Sequence, residues 1–286
     1  MRNLLSTKDQ RQLRLMEILI QNRNWLRLHT LAEQLGCTER ILKNDLNELR
    51  TAFPTIDIQS SVNGIMIDLE VNTSVEDVYQ YFLAHSQSFQ LLEYMFFNEG
   101  LPIYRTVENL HSSNANLYRL GRNITKTLSS QFQIELSFTP TAILGNETDI
   151  RYFFAQYFSE RYYFLDWPFP DLPEEDLIEF IDFFYKITNY PMRFSIYRMY
   201  KMMIAISIYR IKNGHFIDLP NNFYDEYYPL LMNVPNFEEI LGHFSEKLGL
   251  EITPDIIAQI FISFIQNNLF LDPQEFFNSL EENSEA

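Results

Sequence analysis

The chain has 286 residues, 46% of them hydrophobic, and a formal net charge of −16 at pH 7. This length allows two or three domains, and the apolar share, with only 8 Gly and 12 Pro, favours packed helices over disorder. The sequence has no run of 18 uncharged apolar residues and no signal-peptide core, so we expect a cytoplasmic protein without a membrane segment. Its single cysteine, Cys37, excludes an intramolecular disulfide and has no metal-ligand spacing around it.

The acidic residues are concentrated in the second half of the chain. Residues 1–140 hold 13 Lys+Arg against 15 Asp+Glu, whereas residues 141–286 hold 9 against 23. Residues 1–51 and 100–131 each carry a local charge of +3. Because screening at physiological salt acts over roughly 8 Å, phosphate attraction is local and the overall acidity does not exclude nucleic-acid binding.

The first predicted element is a helix capped by Ser6 or Thr7, with Arg11 and Arg14 expected to be exposed. A helix-turn-helix follows within residues 31–49. Its apolar positions repeat at helical spacing, Gly36 allows a turn, and Thr38 suits the N-cap of the second helix. Cys37 is expected to fill the turn.

The face of the second helix opposite its apolar stripe predicts a DNA-reading surface. A recognition helix lies in the major groove, where hydrogen-bond donors reach base edges and phosphates. The candidates are Thr38, Arg40, Lys43, Asn44 and Asn47. The competing interpretation is an ordinary solvated face, because Glu39 and Glu48 lie nearby.

A change to strand-like patterning follows this helix. Pro54 ends the helix, and residues 56–58 and 65–69 are β-rich segments on either side of Asn63-Gly64, a strong hairpin signal. A hairpin directly after a recognition helix is a wing, so residues 1–71 are predicted to form a winged helix-turn-helix domain.

The helix-turn-helix pattern returns further along the chain. Two predicted helices come first: one over 75–85, which begins at Ser74 and Asp77, and one over 89–97. At one constant offset, Leu110 takes the place of Leu35, Ser113 of Thr38, Leu117 of Leu42 and Ile124 of Leu49. With Leu117, Gly121, Ile124 and Leu128 facing inward, the opposite face predicts a second DNA-reading surface formed by Asn116, Arg119, Arg122, Asn123 and Lys126. Residues 132–138 and 142–144 would form its wing, which makes 72–145 a second winged domain.

The composition becomes aromatic and acidic after Gly145, and a helical bundle is predicted over 146–272. Its helices are expected at about 149–161, 174–189, 194–213, 222–232, 237–248 and 254–267. The aromatic residues Phe180, Phe183, Phe184 and Tyr185 are interpreted as core and interface rather than as a cofactor site. Residues 273–286 are predicted to form an acidic tail.

This order of motifs resembles the Mga family of transcription regulators in Gram-positive bacteria. The resemblance lies in Leu31-Ala32-Glu33-Gln34-Leu35, Leu117-Tyr118-Arg119, Leu144-Gly145-Asn146-Glu147 with Ile150-Arg151-Tyr152-Phe153, and Arg210-Ile211-Lys212-Asn213-Gly214-His215. It implies a mostly α fold: two N-terminal winged helix-turn-helix domains with small β-wings, then an all-α bundle like a PTS regulation domain. Family members usually continue into a second bundle and a IIB-like domain, so we expect a chain shortened at the C-terminus.

The resemblance also implies histidines that the sugar phosphotransferase system can phosphorylate. Aligned with the broader regulation-domain pattern, Met202-Met203 and Ile262 or Ser263 stand where acceptor histidines would be. His215, after Gly214 at a helix end, and His243 remain as regulatory candidates. The alternative for His215 is a structural role, capping carbonyls at the negative end of the helix dipole.

The sequence therefore predicts a sequence-specific DNA-binding transcription regulator, linked to virulence or carbohydrate genes. Its expected partners are double-stranded DNA, a phosphotransferase-system phosphodonor protein, and a second copy or a related regulator; no cofactor or metal is expected. The alternative is a shortened interaction module that pairs with longer Mga-like regulators without tight DNA binding. An RNA-binding antiterminator is disfavoured by the winged helices. An enzyme is disfavoured because no phosphate-cradling glycine loop, nucleophile elbow or His/Cys cluster is found.

Overall fold

A computed structural model describes residues 1–22, 24–69, 74–162, 167–188, 194–219 and 237–266. The chain divides into two compact units. Unit 1 comprises Met1–Thr127 and Leu136–Ala142, and unit 2 comprises Leu128–Glu135 and Ile143–Ala286. Within the described residues, no helix is long and apolar enough to cross a membrane.

The N-terminal half consists of helices and one two-stranded sheet. In chain order its elements are α1 (Thr7–Gln21), α2 (Leu28–Gln34), α3 (Glu39–Ala52), β1 (Ile56–Ser61), β2 (Gly64–Leu69), α4 (Val75–His85), α5 (Gln87–Phe97), α6 (Ile103–Asn109) and α7 (Asn114–Leu128). Strands β1 and β2 are antiparallel, with Ile58 opposite Ile67 and Ser61 opposite Gly64. The hairpin loop is therefore Val62-Asn63, one residue earlier than the Asn63-Gly64 signal suggested.

The remaining elements begin with a second hairpin and continue as helices. They are β3 (Ile134–Phe138), β4 (Thr141–Gly145), α8 (Glu147–Arg161), α9 (Glu174–Thr188), α10 (Phe194–Lys212), α11 (Phe237–Leu248) and α12 (Pro254–Gln266). Helix α10 packs against α8, α9 and α12, and α9 also packs against α11. The bundle is thus organised around α10.

Local sequence explains where the helices begin. Ser6 accepts a hydrogen bond from the Asp9 amide at the start of α1, and Ser74 and Asp77 form a reciprocal capping box at the start of α4. Asn146 accepts from the amides of Thr148 and Asp149 at the start of α8. These caps satisfy amides that the first helical turn leaves without intrahelical partners.

The core of each unit comes from the apolar stripes of its helices. In unit 1, Leu15, Met16 and Leu19 of α1 are buried. In unit 2 the core is rich in aromatic rings: Phe158 contacts Phe154 and Phe169, and Phe180 contacts Phe244, all edge to face. Phe183 also packs on Phe244, in keeping with the interpretation of these aromatic residues as core.

The predicted fold class is confirmed: the protein is mostly helical, with two helix-turn-helix regions, two small β-hairpins and a helical bundle. Besides the hairpin loop, several element boundaries and the exposure of one side chain were wrong, and α8 begins at Glu147 rather than Asp149. Helix α5 begins at Gln87 rather than Phe89, β3 begins at Ile134 rather than Phe132, and the Arg11 side chain is largely buried because it pairs with Asp45. The predicted helix 222–232, the tail 273–286, the domain boundary at residue 71, and the side chains of Phe184 and Tyr185 lie outside the described residues.

Candidate nucleic-acid interface

The first recognition unit is built from α2, a tight turn and α3. Gly36 adopts φ +61°, and the Thr38 hydroxyl accepts a hydrogen bond from the Ile41 amide at 3.3 Å. The Cys37 amide donates to the Ala32 carbonyl at 2.9 Å, and burial raises the pKa of the Cys37 thiol, which lowers its reactivity. The turn therefore fixes the direction in which α3 leaves α2.

The predicted DNA-contacting side chains of this unit lie on the exposed face of α3. Leu42, Leu46 and Leu49 are buried on the inner face. The outer residues are Arg40, Lys43, Asn44 and Asn47, and the N-cap Thr38 is exposed with them. Asn47 accepts a hydrogen bond from the Arg50 guanidinium at 3.1 Å, so its oxygen is already engaged.

A polar network that has no signal in the sequence pattern anchors α3 to α1. Asp45 is only 2% exposed and accepts two hydrogen bonds from Arg11, at 2.6 and 3.1 Å, and one from Gln12 at 3.1 Å. Glu48 pairs with Lys8 and accepts from Gln12 at 2.7 Å. The hydrogen bond from Lys8 lowers the pKa of Glu48, and the bond to Asp45 raises the pKa of Arg11. Glu48, counted above against DNA binding, is thus held towards α1 by a cation.

The first wing is held by backbone contacts on one side and by Arg50 on the other. Leu26 and Ile65 exchange two amide-to-carbonyl hydrogen bonds of 2.8 Å, which adds a third strand-like segment to the β1–β2 hairpin. A Cβ on Gly64 would lie 2.0 Å from the Leu26 oxygen, so only glycine fits there. Arg50 donates to the Ile58 carbonyl at 3.0 Å and to the Ser60 hydroxyl at 2.5 Å.

The second recognition unit repeats the first at the offset that separates Leu35 from Leu110. Helix α6 begins at this offset from α2, and α7 begins at the same offset from α3. His111 adopts φ +45° at the position equivalent to Gly36, and the Ser113 hydroxyl accepts from the Asn116 amide as Thr38 does from Ile41. The turn hydrogen bonds match as well: the Ser112 amide donates to the Val107 carbonyl as Cys37 does to Ala32. The repeat therefore extends to backbone geometry.

The outer face of α7 is basic, and glycine on its inner face accommodates a ring. Arg119, Arg122, Asn123 and Lys126 are exposed. Asn116 is partly buried: its amide donates to Ser112 at 2.9 Å, and its oxygen accepts from Arg119 at 2.7 Å.

On the inner face, a Cβ on Gly121 would lie 2.5 Å from the Phe138 ring, so β3 fills the space that Leu46 fills in the first unit.

A cleft runs along one flank of α7 within unit 1. Its volume is about 680 Å³, and it is bounded by residues 3–10, residues 85–88 and α7. Arg119 and Asn123 line it, whereas Arg122 and Lys126 do not. The five predicted contacts of this unit are therefore divided between a concave flank and an open face.

The two candidate regulatory histidines have different surroundings. His243, on α11, is exposed, and its Nε2 lies 2.8 Å from a carboxylate oxygen of Glu179 on α9. Lys247 pairs with the same carboxylate. His215 is partly exposed and follows Gly214, which lies two residues beyond the end of α10 and has φ +84°. Its amide donates to the Arg210 carbonyl at 3.0 Å, which is one part of a larger network.

This network is a buried cluster of two arginines and one carboxylate. Arg151 and Arg210 both bind Glu147, Arg151 at 2.9 Å and Arg210 at 2.6 Å. Arg151 also donates to the carbonyls of Gln259, at 2.6 Å, and His215, at 3.0 Å. Burial lowers the pKa of Arg151. The cluster joins α8, α10, α12 and the segment after α10.

Comparison with known proteins assigns the family. Profiles described as the M protein trans-acting positive regulator (MGA) HTH domain, the Mga helix-turn-helix domain and the MGA PRD domain match residues 6–65, 71–158 and 173–286. The chain belongs to the Mga family of transcription regulators. The resemblance drawn from the sequence is confirmed.

Several curated proteins are similar to this chain. A protein of Streptococcus pneumoniae serotype 4, named as a trans-acting regulator, is 40% identical over 285 residues, 99% of this chain and 58% of that protein. The capsule synthesis positive regulator AcpA of Bacillus anthracis is 26% identical, covering 72% of this chain and 43% of AcpA. The anthrax toxin expression trans-acting positive regulator of the same organism is 24% identical, covering 73% and 44%. The chain thus spans about half the length of the curated relatives it matches.

The buried cluster joins parts of the chain that different Mga profiles match. Glu147 and Arg151 fall within the helix-turn-helix match, whereas Arg210, His215 and Gln259 fall within the PRD match. Both arginines lie in segments that carry the family resemblance, but no pattern in the sequence indicates that they contact each other. Within the described residues, no group of three or more His, Cys, Asp or Glu side chains could hold a metal ion.

Proposed function

We propose that this Mga-family chain binds double-stranded DNA in the cytoplasm through α3 and α7 and regulates transcription. The observation that carries the proposal is the repeat of an exposed, donor-rich helix face at one constant offset, with the same N-cap and the same turn hydrogen bonds. Arg40 and Lys43 supply cations on the first face, and Arg119 and Arg122 supply them on the second. Cations beside base-reading amides are the combination that positions and specifies a protein on DNA.

The contribution of each face can be measured by separate substitutions. A 40-base-pair duplex with a randomised centre, enriched by selection on the unaltered chain, serves as the probe. Arg40→Ala/Lys43→Ala and Arg119→Ala/Arg122→Ala are each expected to reduce the slope of log affinity against log salt by about 2, because about two phosphate contacts are lost. Arg161→Ala/Lys212→Ala in unit 2 removes the same charge from the bundle and should leave the slope unchanged.

The possible results show which of the two recognition helices binds DNA. If only the substitution of Arg119 and Arg122 changes the affinity for DNA, α7 binds the DNA and α3 does not belong to the interface. If the unaltered chain enriches no sequence at about 150 mM salt but co-purifies with a longer relative, the DNA proposal is wrong and the chain is an interaction module. Self-association and the identity of the regulated genes stay predictions.

The proposal also assigns phosphoryl acceptance to His215, with His243 as the second candidate. A ring nitrogen of the histidine attacks the phosphorus of the donor's phosphohistidine, the donor's N–P bond breaks, and a proton moves from the acceptor ring to the donor ring. The product carries about −1.5 to −2 charges. On Nε2 of His243 this charge would face the Glu179 carboxylate, now 2.8 Å away, and would repel it.

The acceptor can be identified with the phosphotransferase-system carrier protein charged from phosphoenolpyruvate. Mass spectrometry at alkaline pH locates the phosphoryl group, and His215→Ala should abolish most of the incorporation while His243→Ala retains it. Full incorporation into His215→Ala would reject this assignment without affecting the DNA-binding proposal.

A further inference from the structure

The main chain from His215 to Ile217 is held by side chains of α8 and α12 and by the main chain of α10. The His215 amide donates to the Arg210 carbonyl, and its carbonyl accepts from Arg151, both at 3.0 Å. Gln259 of α12 accepts from the Ile217 amide and donates to the Ile217 carbonyl, both at 2.7 Å. Three helices thus fix a three-residue segment, here called the His215 segment.

The groups that hold the segment are buried and are themselves held in place. Arg151 is 0% exposed, Arg210 1% and Gln259 7%. Glu147 receives hydrogen bonds from both arginines, so neither guanidinium can move without breaking a charged contact. A buried ion pair is costly to disrupt. The planar guanidinium of Arg151 donates to three acceptors from three different nitrogens, whereas a lysine would have to reach all three from its single ammonium nitrogen.

Two of the three side chains of the segment are at least partly exposed. His215 is partly exposed, and the neighbouring Phe216 is 57% exposed, one of the largest exposed fractions among the apolar side chains described. Ile217, in contrast, is buried against Ala258 and Ile262. The His215 segment therefore has a partly exposed imidazole and an exposed aromatic ring on consecutive residues of a backbone with little freedom.

We infer that Arg151 and Gln259 are positioning residues for His215. They hold the His215 segment so that the imidazole meets a docked phosphocarrier protein in one orientation. This inference rests on the phosphoryl acceptance proposed above. Its physical reason is that orienting two reactants in advance removes entropy from the barrier, and that small misplacements cost large factors in rate.

The test compares two phosphoryl donors that differ in their need for orientation. The first is the phosphocarrier protein, which must dock on the surface. The second is phosphoramidate, a small molecule whose P–N bond breaks and releases ammonia as the histidine N–P bond forms. Gln259→Leu removes both contacts to Ile217, Arg151→Lys keeps the charge beside Glu147, and Gln259→Glu keeps the acceptor for the Ile217 amide.

A positioning role predicts a split between the donors. With the carrier protein, kcat/KM for His215 should fall about ten- to a hundredfold in Gln259→Leu and Arg151→Lys. With phosphoramidate the rate should stay within about twofold, and Gln259→Glu should recover part of the carrier reaction. Hydrogen exchange of the amides of residues 215–217 should quicken in the same two variants.

A control variant separates positioning from loss of stability. Phe180→Leu removes part of a buried ring of α9 that packs on Phe244 of α11, two helices that supply none of the contacts described for the His215 segment. Gln259→Leu is compared with it at a temperature where both are equally folded, and only Gln259→Leu should lose the carrier reaction. Equal losses in the two variants, or equal losses with the two donors, would overturn the inference. Absence of phosphate on His215 in the unaltered chain would instead reject the proposed acceptor as well.

Discussion

Two glycines within helices, Gly121 and Gly242, offer a sharp test of packing, because the same substitution should act in opposite directions. Gly121 lies within α7, where a Cβ would meet the Phe138 ring at 2.5 and 2.7 Å. Gly242 lies within α11, where a Cβ would meet nothing within 4 Å. Helix propensity alone favours alanine at both positions by about 0.5–1 kcal/mol.

At Gly121, packing should turn the expected stabilisation by alanine into destabilisation. Carbon atoms in contact normally lie about 3.5–4.0 Å apart, so the new methyl group would overlap the ring by about 1 Å. Phe138 is 8% exposed and lies edge to face against Tyr118, with ring centroids 5.0 Å apart, so the ring has little room to move. Overpacking of this kind costs about 1–3 kcal/mol. After the gain in propensity, Gly121→Ala should destabilise the fold by up to about 2.5 kcal/mol.

The assay is urea unfolding followed by circular dichroism, with hydrogen exchange of α7 and α11 to assign each change to its helix. Gly242→Ala should raise the free energy of unfolding by about 0.5–1 kcal/mol. In a Phe138→Leu background the ring is absent, and Gly121→Ala should then stabilise as Gly242→Ala does. If both alanines stabilise the wild-type chain equally, Phe138 does not occupy the space beside Gly121 and the account of the second unit is wrong.

Four further substitutions test other parts of the structure. Gly64→Ala, with its Cβ 2.0 Å from a backbone oxygen and φ +126°, should cost more than about 3 kcal/mol and expose the β1–β2 amides to hydrogen exchange; a neutral effect would contradict the Leu26 contact. Thr106→Val should stabilise by about 1 kcal/mol in urea, because the buried Thr106 hydroxyl has no hydrogen-bond partner among the described residues; destabilisation would reveal one. Glu147→Gln should cost about 3–5 kcal/mol by leaving two buried guanidinium groups without their carboxylate, and an unchanged melting temperature would refute that pairing. Lys8→Met should raise the pKa of Glu48 towards its ordinary value of about 4.3, as followed by carboxyl NMR titration; because the native pKa is lowered, the contact stabilises the fold above that value and is lost as the pH falls through the lowered pKa.

The parts of the structure that the sequence predicts are those set by local rules. The cap at Thr38, the glycine turn at Gly36 and the capping box of Ser74 depend on residues three or four positions apart, and the sequence alone indicates each of them. The sequence also predicts the repeat between the two recognition units, because the repeated features are local caps, turns and apolar spacings. The repeat also places His111 at the position of Gly36, where both residues adopt a positive φ.

The contacts that the sequence did not predict join distant residues with no periodic pattern. Arg11 and Asp45 are 34 positions apart, and Arg151 and Gln259 are 108 apart. An arginine in a helical pattern is expected on the solvated face, as predicted for Arg11, and burial of a charge becomes favourable only when its partner arrives from another element. Hydrophobic periodicity therefore locates the elements but cannot locate their polar connections.

The polar connections also change how the electrostatics of the recognition surfaces should be judged. Counted along the sequence, α3 carries three acids, Glu39, Asp45 and Glu48, against three cations. In the structure Asp45 is buried against Arg11, and Glu48 is held by Lys8. Because the opposite charges of an ion pair largely cancel at a distance, the field before the outer face is set mainly by Arg40 and Lys43, opposed by the exposed Glu39. Breaking the pair with Lys8→Met should therefore weaken DNA binding although Lys8 lies outside the proposed reader, and an unchanged salt dependence in that variant would show that Glu48 does not act on the bound DNA.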